Sequence, residues 1–322
     1  MVSIHSSSSK VTAPSLPGRA GGEFTTLHYR LHEVTPYINW TYFFHAWGFP
    51  ARFAAIAQVH GCDCCRAVWL ADFPVEDRQR AAEAMQLHKE AQRMLTFLDG
   101  KDYQTRVRFG LFDCNSEGED ILIGPFDDLR FHTLSFLRQQ APPYLCLADF
   151  IRPMNPEGFH DRIGIFAATA DEAIEHSFEG EDDYHHLLCQ TLADRLAEAA
   201  IEQAHQSIRK CYWGYAPLEN LSITDLHAER FQGIRPVVGY PSLPDQSLNF
   251  DLDRLIDFSA IGIRLTENGA MQPHASISGL MFAHPEARYF AIGHIGDDQL
   301  QDYARRKGRP PEELRPFLAA NL

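Results

Sequence analysis

The chain has 322 residues, 45% of them hydrophobic and 22% charged, with a formal net charge of −14. This is the composition of a globular domain or two with enough apolar material for a core. The acidic balance repels nucleic-acid backbones and anionic membranes, which excludes both as main partners, but it leaves a cationic small molecule attractive.

Residues 1–23 hold Ser, Pro and Gly and no apolar signal core, so they read as a disordered tail ahead of a domain spanning 24–322. No apolar run reaches the length that spans a bilayer. With seven cysteines, an odd number, reduced thiols in the cytoplasm are the expectation.

Thr35 before Pro36 marks a helix start with Thr35 as N-cap, leading into the aromatic stretch YINWTYFF, Tyr37 to Phe44. Ala84, Leu87, Ala91, Met94, Leu95 and Leu98 form one stripe and predict an amphipathic helix over Val75 to Leu98. Two apolar runs around Asn115-Ser116-Glu117-Gly118 predict a hairpin between Val107 and Gly124. A short helix is expected over Leu134 to Gln140, then strands at Tyr144 to Ile151 and Arg162 to Ala170. The longest helix is expected from Asp182 to Lys210, burying Leu188, Leu192, Leu196 and Ala199. Leu218 to Arg230 and Leu252 to Phe258 read as helical. Strands are expected from Ile261, Ala275 and Arg288, and two short helices close the sequence. Helices and strands do not alternate regularly, which predicts an α+β fold with a mainly antiparallel sheet.

Three constellations stand out. His60, Cys62, Cys64 and Cys65 (HGCDCC) offer zinc-ligand types. They lack a second C-x-x-C pair, and neighbouring Cys64 and Cys65 converge poorly on one ion, so reduced cysteines packed as small apolar groups are expected. His185, His186 and Cys189 have metal half-site spacing on a helix without a visible third ligand. No metal is therefore assigned. The third is the loop GIRPVVGYPSLPD, Gly233 to Asp245. Its prolines stiffen it against helix and ordinary strand. Arg235 offers a planar fork for a carboxylate, Gly239 permits positive φ or close approach, and Tyr240 adds a flat ring with a polar tip. They suit a zwitterionic ligand; the plainer alternative is an Arg235 paired with a local carboxylate such as Glu229.

RPVVGY, Arg235 to Tyr240, resembles the R-x-x-x-G-Y signature of the S-adenosylmethionine-binding activation domain of cobalamin-dependent methionine synthase. DDYHHLLCQTLADRLAEA, RKCYWGYAPLENLS, FQGIRP, ASISGLMFAHPEARYFAIG and QDYARRKG also look like the corresponding family segments, in order, and LRQQ and LADFI fit. The resemblance runs from about Thr35 onward. It implies a single C-shaped domain around a twisted antiparallel sheet with flanking helices. It implies S-adenosylmethionine in a shallow groove, and docking over a cobalamin domain whose cofactor has oxidised to cob(II)alamin. An electron from flavodoxin or another reductase, together with the ligand's methyl group, then restores methylcobalamin. By this likeness Arg235 holds the ligand carboxylate, Tyr240 is the signature tyrosine and Glu229 an acidic neighbour. Pro236 and Tyr289 stand at main-chain contacts with the ligand.

Asn39 departs from the family, which carries an aspartate there against the ligand's amino group. Asparagine keeps an acceptor oxygen and loses the charge, at a cost of about 1–2 kcal/mol. Asp245 or Glu229 is the expected compensation. A D-x-H-x-x-G segment is absent, so cobalamin is expected only on a partner, a methionine synthase or other corrinoid protein. No independent catalytic site is visible; the activity implied is that of a component of 5-methyltetrahydrofolate–homocysteine methyltransferase. The alternative is a corrinoid-protein interaction or ligand-binding module that has lost methyl transfer.

Overall fold

In the computed structural model the described residues are 24–124, 131–155, 157–158 and 160–322; the tail expected over 1–23 lies outside them. The strands are β1 (Phe24–Arg30), β2 (Gln104–Glu117), β3 (Asp120–Ile123), β4 (His132–Ser135), β5 (Asp161–Ala170), β6 (Arg264–Leu265), β7 (Met271–Gln272) and β8 (Ser276–Met281). The main sheet runs β4-β3-β2-β5-β8, with β1 also on β2. Every pairing is antiparallel. At 14 residues, β2 is long enough to carry β1 on its first half and β3 on its second, along one edge. The sheet curls into a half-barrel and the fold is α+β.

The helices are α1 (Leu31–Val34), α2 (Trp40–Ala46), α3 (Asp63–Ala71), α4 (Val75–Asp99), α5 (Glu172–Glu175), α6 (Asp183–Ser207), α7 (Ile223–His227), α8 (Leu248–Ile256), α9 (Asp297–Lys307) and α10 (Pro311–Leu314). The predicted stripe of α4 is buried throughout. So are Leu188, Leu192, Leu196 and Ala199 of α6, whose N-cap is Asp182, with a carboxylate that accepts from Tyr184 N and His185 N. These two helices, α2 and one face of the sheet share a core with Phe109, Phe166 and Met281. The opposite face packs Ile163 and Leu280 against Leu252 and Ile256 of α8. A smaller cluster holds Leu300 and Tyr303 of α9 against Leu314. No helix of the described residues is long and apolar enough to cross a membrane.

Several expectations are corrected. Thr35 is not a helix N-cap: it closes α1 and begins the 3-10 turn Thr35–Tyr37, and Asn39 caps α2. The hairpin turn is shorter than expected, because Asn115, Ser116 and Glu117 remain in β2 and pair with β3. Leu134 lies in a strand, since β4 pairs with β3 and short apolar runs carry no decisive period. Leu147–Phe150 is a 3-10 turn, where Asp149 accepts from Cys146 N at 2.8 Å. The run from Ile261 shrinks to a 3-10 turn and the two-residue β6. The segment from Arg288 forms no strand; its backbone bonds go to Ser242 and Pro241 instead of a ladder.

Candidate functional site

The proline-rich loop answers to the edge of the sheet. Ile234 N donates to Phe282 O at 3.0 Å and Phe282 N returns to Ile234 O at 2.9 Å. Leu280 N donates to Pro236 O at 3.0 Å, and Val238 N to Ser278 O at 2.9 Å. The loop is thus a broken strand on β8, interrupted where prolines lack a donor. Gly279 makes the approach possible: a Cβ there would stand 2.2 Å from Pro236 O. Gly239, at φ +89°, turns the chain with its N–H on Leu243 O at 2.8 Å. It does not line the cleft beside it; it sets the direction of Tyr240. Pro236 does line the cleft, but its carbonyl already serves the sheet.

That cleft has a volume of about 420 Å³. Its walls are α6, the start of α2, the end of α7, the Arg235 loop and the segment Tyr289–Phe290. Asn39, Glu229, Arg235, Pro236, Tyr240 and Tyr289 all reach it, as do two residues the sequence reading passed over, Glu198 and Glu202. These two lie one turn apart on α6. Asp194, Glu198 and Glu202 are spaced four residues apart, an acidic row on one helix face, and that spacing was the available signal.

Arg235 pairs with Glu202, not Glu229. Its Nη2 donates to Glu202 Oε2 at 2.8 Å and its Nη1 to Ile201 O at 3.3 Å. Both side chains are largely buried. Arg235 Nε and Glu202 Oε1 are buried and have no hydrogen-bond partner among the described residues. The Tyr289 hydroxyl accepts from Arg235 N at 2.9 Å, so this residue contributes its side chain to the loop's placement. Burial pushes the Tyr289 and Tyr240 phenols up to about 12, which keeps both hydroxyls protonated. Tyr240 donates to Glu198 Oε1 at 3.3 Å, and Arg195 holds Glu198 Oε2 at 2.9 Å. Burial raises the Glu198 carboxyl, with Arg195, Tyr240 and Arg235 pulling the other way. Glu229, in left-handed backbone at φ 55°, is also raised, first by burial, and Arg235 opposes the shift.

Asn39 Oδ1 accepts from Thr41 N at 3.1 Å, so its acceptor is engaged in capping α2. Asp245 stands away from the cleft. It is buried and bonded to Ser247, Tyr303 and Lys307, which removes it as compensation for the charge missing at Asn39. The histidine half-site also dissolves: His185 holds Asp182, His186 holds Ser177 O, and Cys189 is buried. All seven cysteines are free. Those of HGCDCC are not packed inside as expected, because Cys64 is exposed and Cys62 and Cys65 are partly so.

A cleft of this size, with carboxylates around one arginine and tyrosines beside it, set on the edge of a curled antiparallel sheet, has the dimensions and polarity to take a small polar ligand. The model of the family "vitamin B12 dependent methionine synthase, activation domain" matches residues 30–308. A crystal structure described as the MetH reactivation domain bound to AdoHcy superimposes with a TM-score of 0.78 at 36% identity, covering 97% of this chain and 93% of that one. The chain belongs to the family of vitamin B12-dependent methionine synthase activation domains.

Proposed function

We propose that this chain binds S-adenosylmethionine in the cleft and presents it to cobalamin carried by a separate corrinoid protein, supporting return of cob(II)alamin to methylcobalamin in methionine biosynthesis. The observation that carries the reading is the Arg235–Glu202 pair. It leaves one buried donor, Arg235 Nε, and one buried acceptor, Glu202 Oε1, unmet in an otherwise carboxylate-rich cleft. An α-amino-acid group offers the two complements, a carboxylate for the arginine and an ammonium for the glutamate. Glu198 and Glu229 add negative charge, which suits a ligand with a further cationic centre such as a sulfonium. Tyr240 and Tyr289 supply flat faces and protonated hydroxyls for the rest of it. The crystallised relative's AdoHcy differs from this ligand only by the methyl group and its charge.

When bound, S-adenosylmethionine supplies the methyl group, and a flavodoxin-like reductant supplies the electron. The residues of this chain bind, orient and shield; none is placed as an acid or base, in keeping with chemistry that belongs to the cofactor. A second reading is a corrinoid-protein interaction module without transfer. The observation favouring it is Asn39, which lacks the charge and spends its oxygen on Thr41 N. The two separate in one experiment. The protein is incubated with a cob(II)alamin-loaded methionine synthase, reduced flavodoxin and methyl-labelled S-adenosylmethionine, and label is followed into methylcobalamin. Transfer that depends on this chain supports the proposal. Binding to the corrinoid protein without transfer supports the second reading.

A further inference from the structure

HGCDCC lies apart from the cleft, at the start of α3. One donor atom from each of His60, Cys62 and Cys65 lies within 4.8 Å of the others, a grouping of three potential metal ligands that no other His, Cys, Asp or Glu set matches among the described residues. Local backbone produces it. Cys62 is extended, at φ −78° and ψ 152°, and is the N-cap of α3. Cys65 is one C-x-x-C step on, in the first turn, and its N–H donates to Cys62 Sγ at 3.4 Å. The two sulfurs therefore face each other across the helix start. The bend through Gly61 brings His60 back to them, with Cys62 N 3.4 Å from His60 Nδ1.

Tetrahedral Zn(II), with bonds of about 2.3 Å to sulfur and about 2.0 Å to nitrogen, sets its donors roughly 3.5–3.8 Å apart, inside the observed span. Two thiolates neutralise a divalent charge, and a sulfur–imidazole set selects thiophilic ions over Mg(II) or Ca(II). Cys64 Sγ stands 2.9 Å from Cys62 Sγ, too close for both to be separate corners of such a site. The adjacency that argues against four donors from this motif is satisfied when Cys64 is left out.

We propose that His60, Cys62 and Cys65 form a three-donor site for a thiophilic divalent cation of the Zn(II) type, with the fourth position open to water. The test uses the full chain, reduced and freed of reductant, titrated with Co(II) as a spectroscopic probe and then with Zn(II). One equivalent of Co(II) should give a thiolate-to-metal charge-transfer band and tetrahedral ligand-field bands, both removed by Zn(II). Cys62→Ser and Cys65→Ser should each abolish the charge-transfer band's full intensity and weaken binding at least tenfold, and His60→Ala should weaken it by a similar factor. Cys64→Ser and Cys211→Ser should leave stoichiometry and affinity unchanged. Circular dichroism of each variant confirms the fold, which these exposed and partly exposed positions do not support. Absence of the band in the native chain, its full retention in Cys62→Ser, or equal loss in Cys64→Ser would each overturn the assignment.

Discussion

Arg235 and Glu202 hold each other at 2.8 Å while each keeps one buried hydrogen-bonding atom unmet, and that pairing decides what mutations in the cleft should do. Arg235→Ala leaves Glu202 a nearly buried, unpaired charge, so it should cost about 3 kcal/mol of stability as well as ligand binding. Arg235→Lys keeps the charge and loses the fork. It should weaken S-adenosylmethionine binding by about tenfold or more while the melting temperature changes little, as calorimetry and thermal unfolding together would show. Asn39→Asp restores a charge at the start of α2, where a carboxylate also caps well. It should tighten S-adenosylmethionine binding by about 5- to 30-fold; an unchanged dissociation constant would mean that position 39 lies out of reach of the ammonium assigned to Glu202. The sign of the pH dependence follows from Glu198 and Glu229, both raised by burial. As pH falls through their elevated range they take up protons and the cleft loses negative charge. Affinity for cationic S-adenosylmethionine should then fall on the acid side of a calorimetric series from about pH 8 to about pH 5, and affinity for AdoHcy should fall less.

At the scale of elements, the Arg235 loop owes its position to β8. Gly279→Ala would set a Cβ 2.2 Å from Pro236 O, so the loop must lift from the strand and carry Arg235 with it. The expected result is a large loss of S-adenosylmethionine affinity with a lowered melting temperature, whereas Gly118→Ala, in an open turn at φ +61°, should lower stability modestly and spare binding. The elements that the sequence made legible are those with a period, α4 and α6, and those with distinct strand chemistry, β2, β5 and β8. Leu134, Tyr144 and Arg288 begin short runs whose apolar residues fit helix, strand or 3-10 turn equally, and tertiary pairing decides among them. Arg235, Tyr240 and Glu229 were legible through a resemblance to a motif. Glu198 and Glu202 required knowing which face of α6 turns toward the loop, and Arg235's choice of Glu202 over Glu229 is a long-range contact that local spacing does not encode.

Over the whole molecule, α9 is tied to the rest of the fold by a buried charge cluster. Asp245 accepts from Ser247 N and Oγ at 2.8 Å, Tyr303 Oη at 2.6 Å and Lys307 Nζ at 3.0 Å. Burial alone would raise the Asp245 carboxyl, but Lys307, Tyr303 and Ser247 outweigh it and hold it below its ordinary value. A depressed carboxyl contributes stability that is present above the unfolded pKa and lost as pH falls through the folded one. Asp245→Asn should therefore cost about 3 kcal/mol near neutral pH, with Asp251 retaining part of Lys307's pairing. The deficit relative to the native chain should shrink below about pH 4, as denaturant unfolding would show. Because this cluster lies away from the cleft, the folded variant should bind S-adenosylmethionine like the native protein.

The proposed function requires S-adenosylmethionine to occupy the cleft through Arg235. Calorimetric titration of S-adenosylmethionine into the native chain and into Arg235→Lys tests it most directly. One saturable site in the native chain, weakened about tenfold or more in the variant, is the predicted result. Equal binding by both proteins, or none by the native chain, would contradict it.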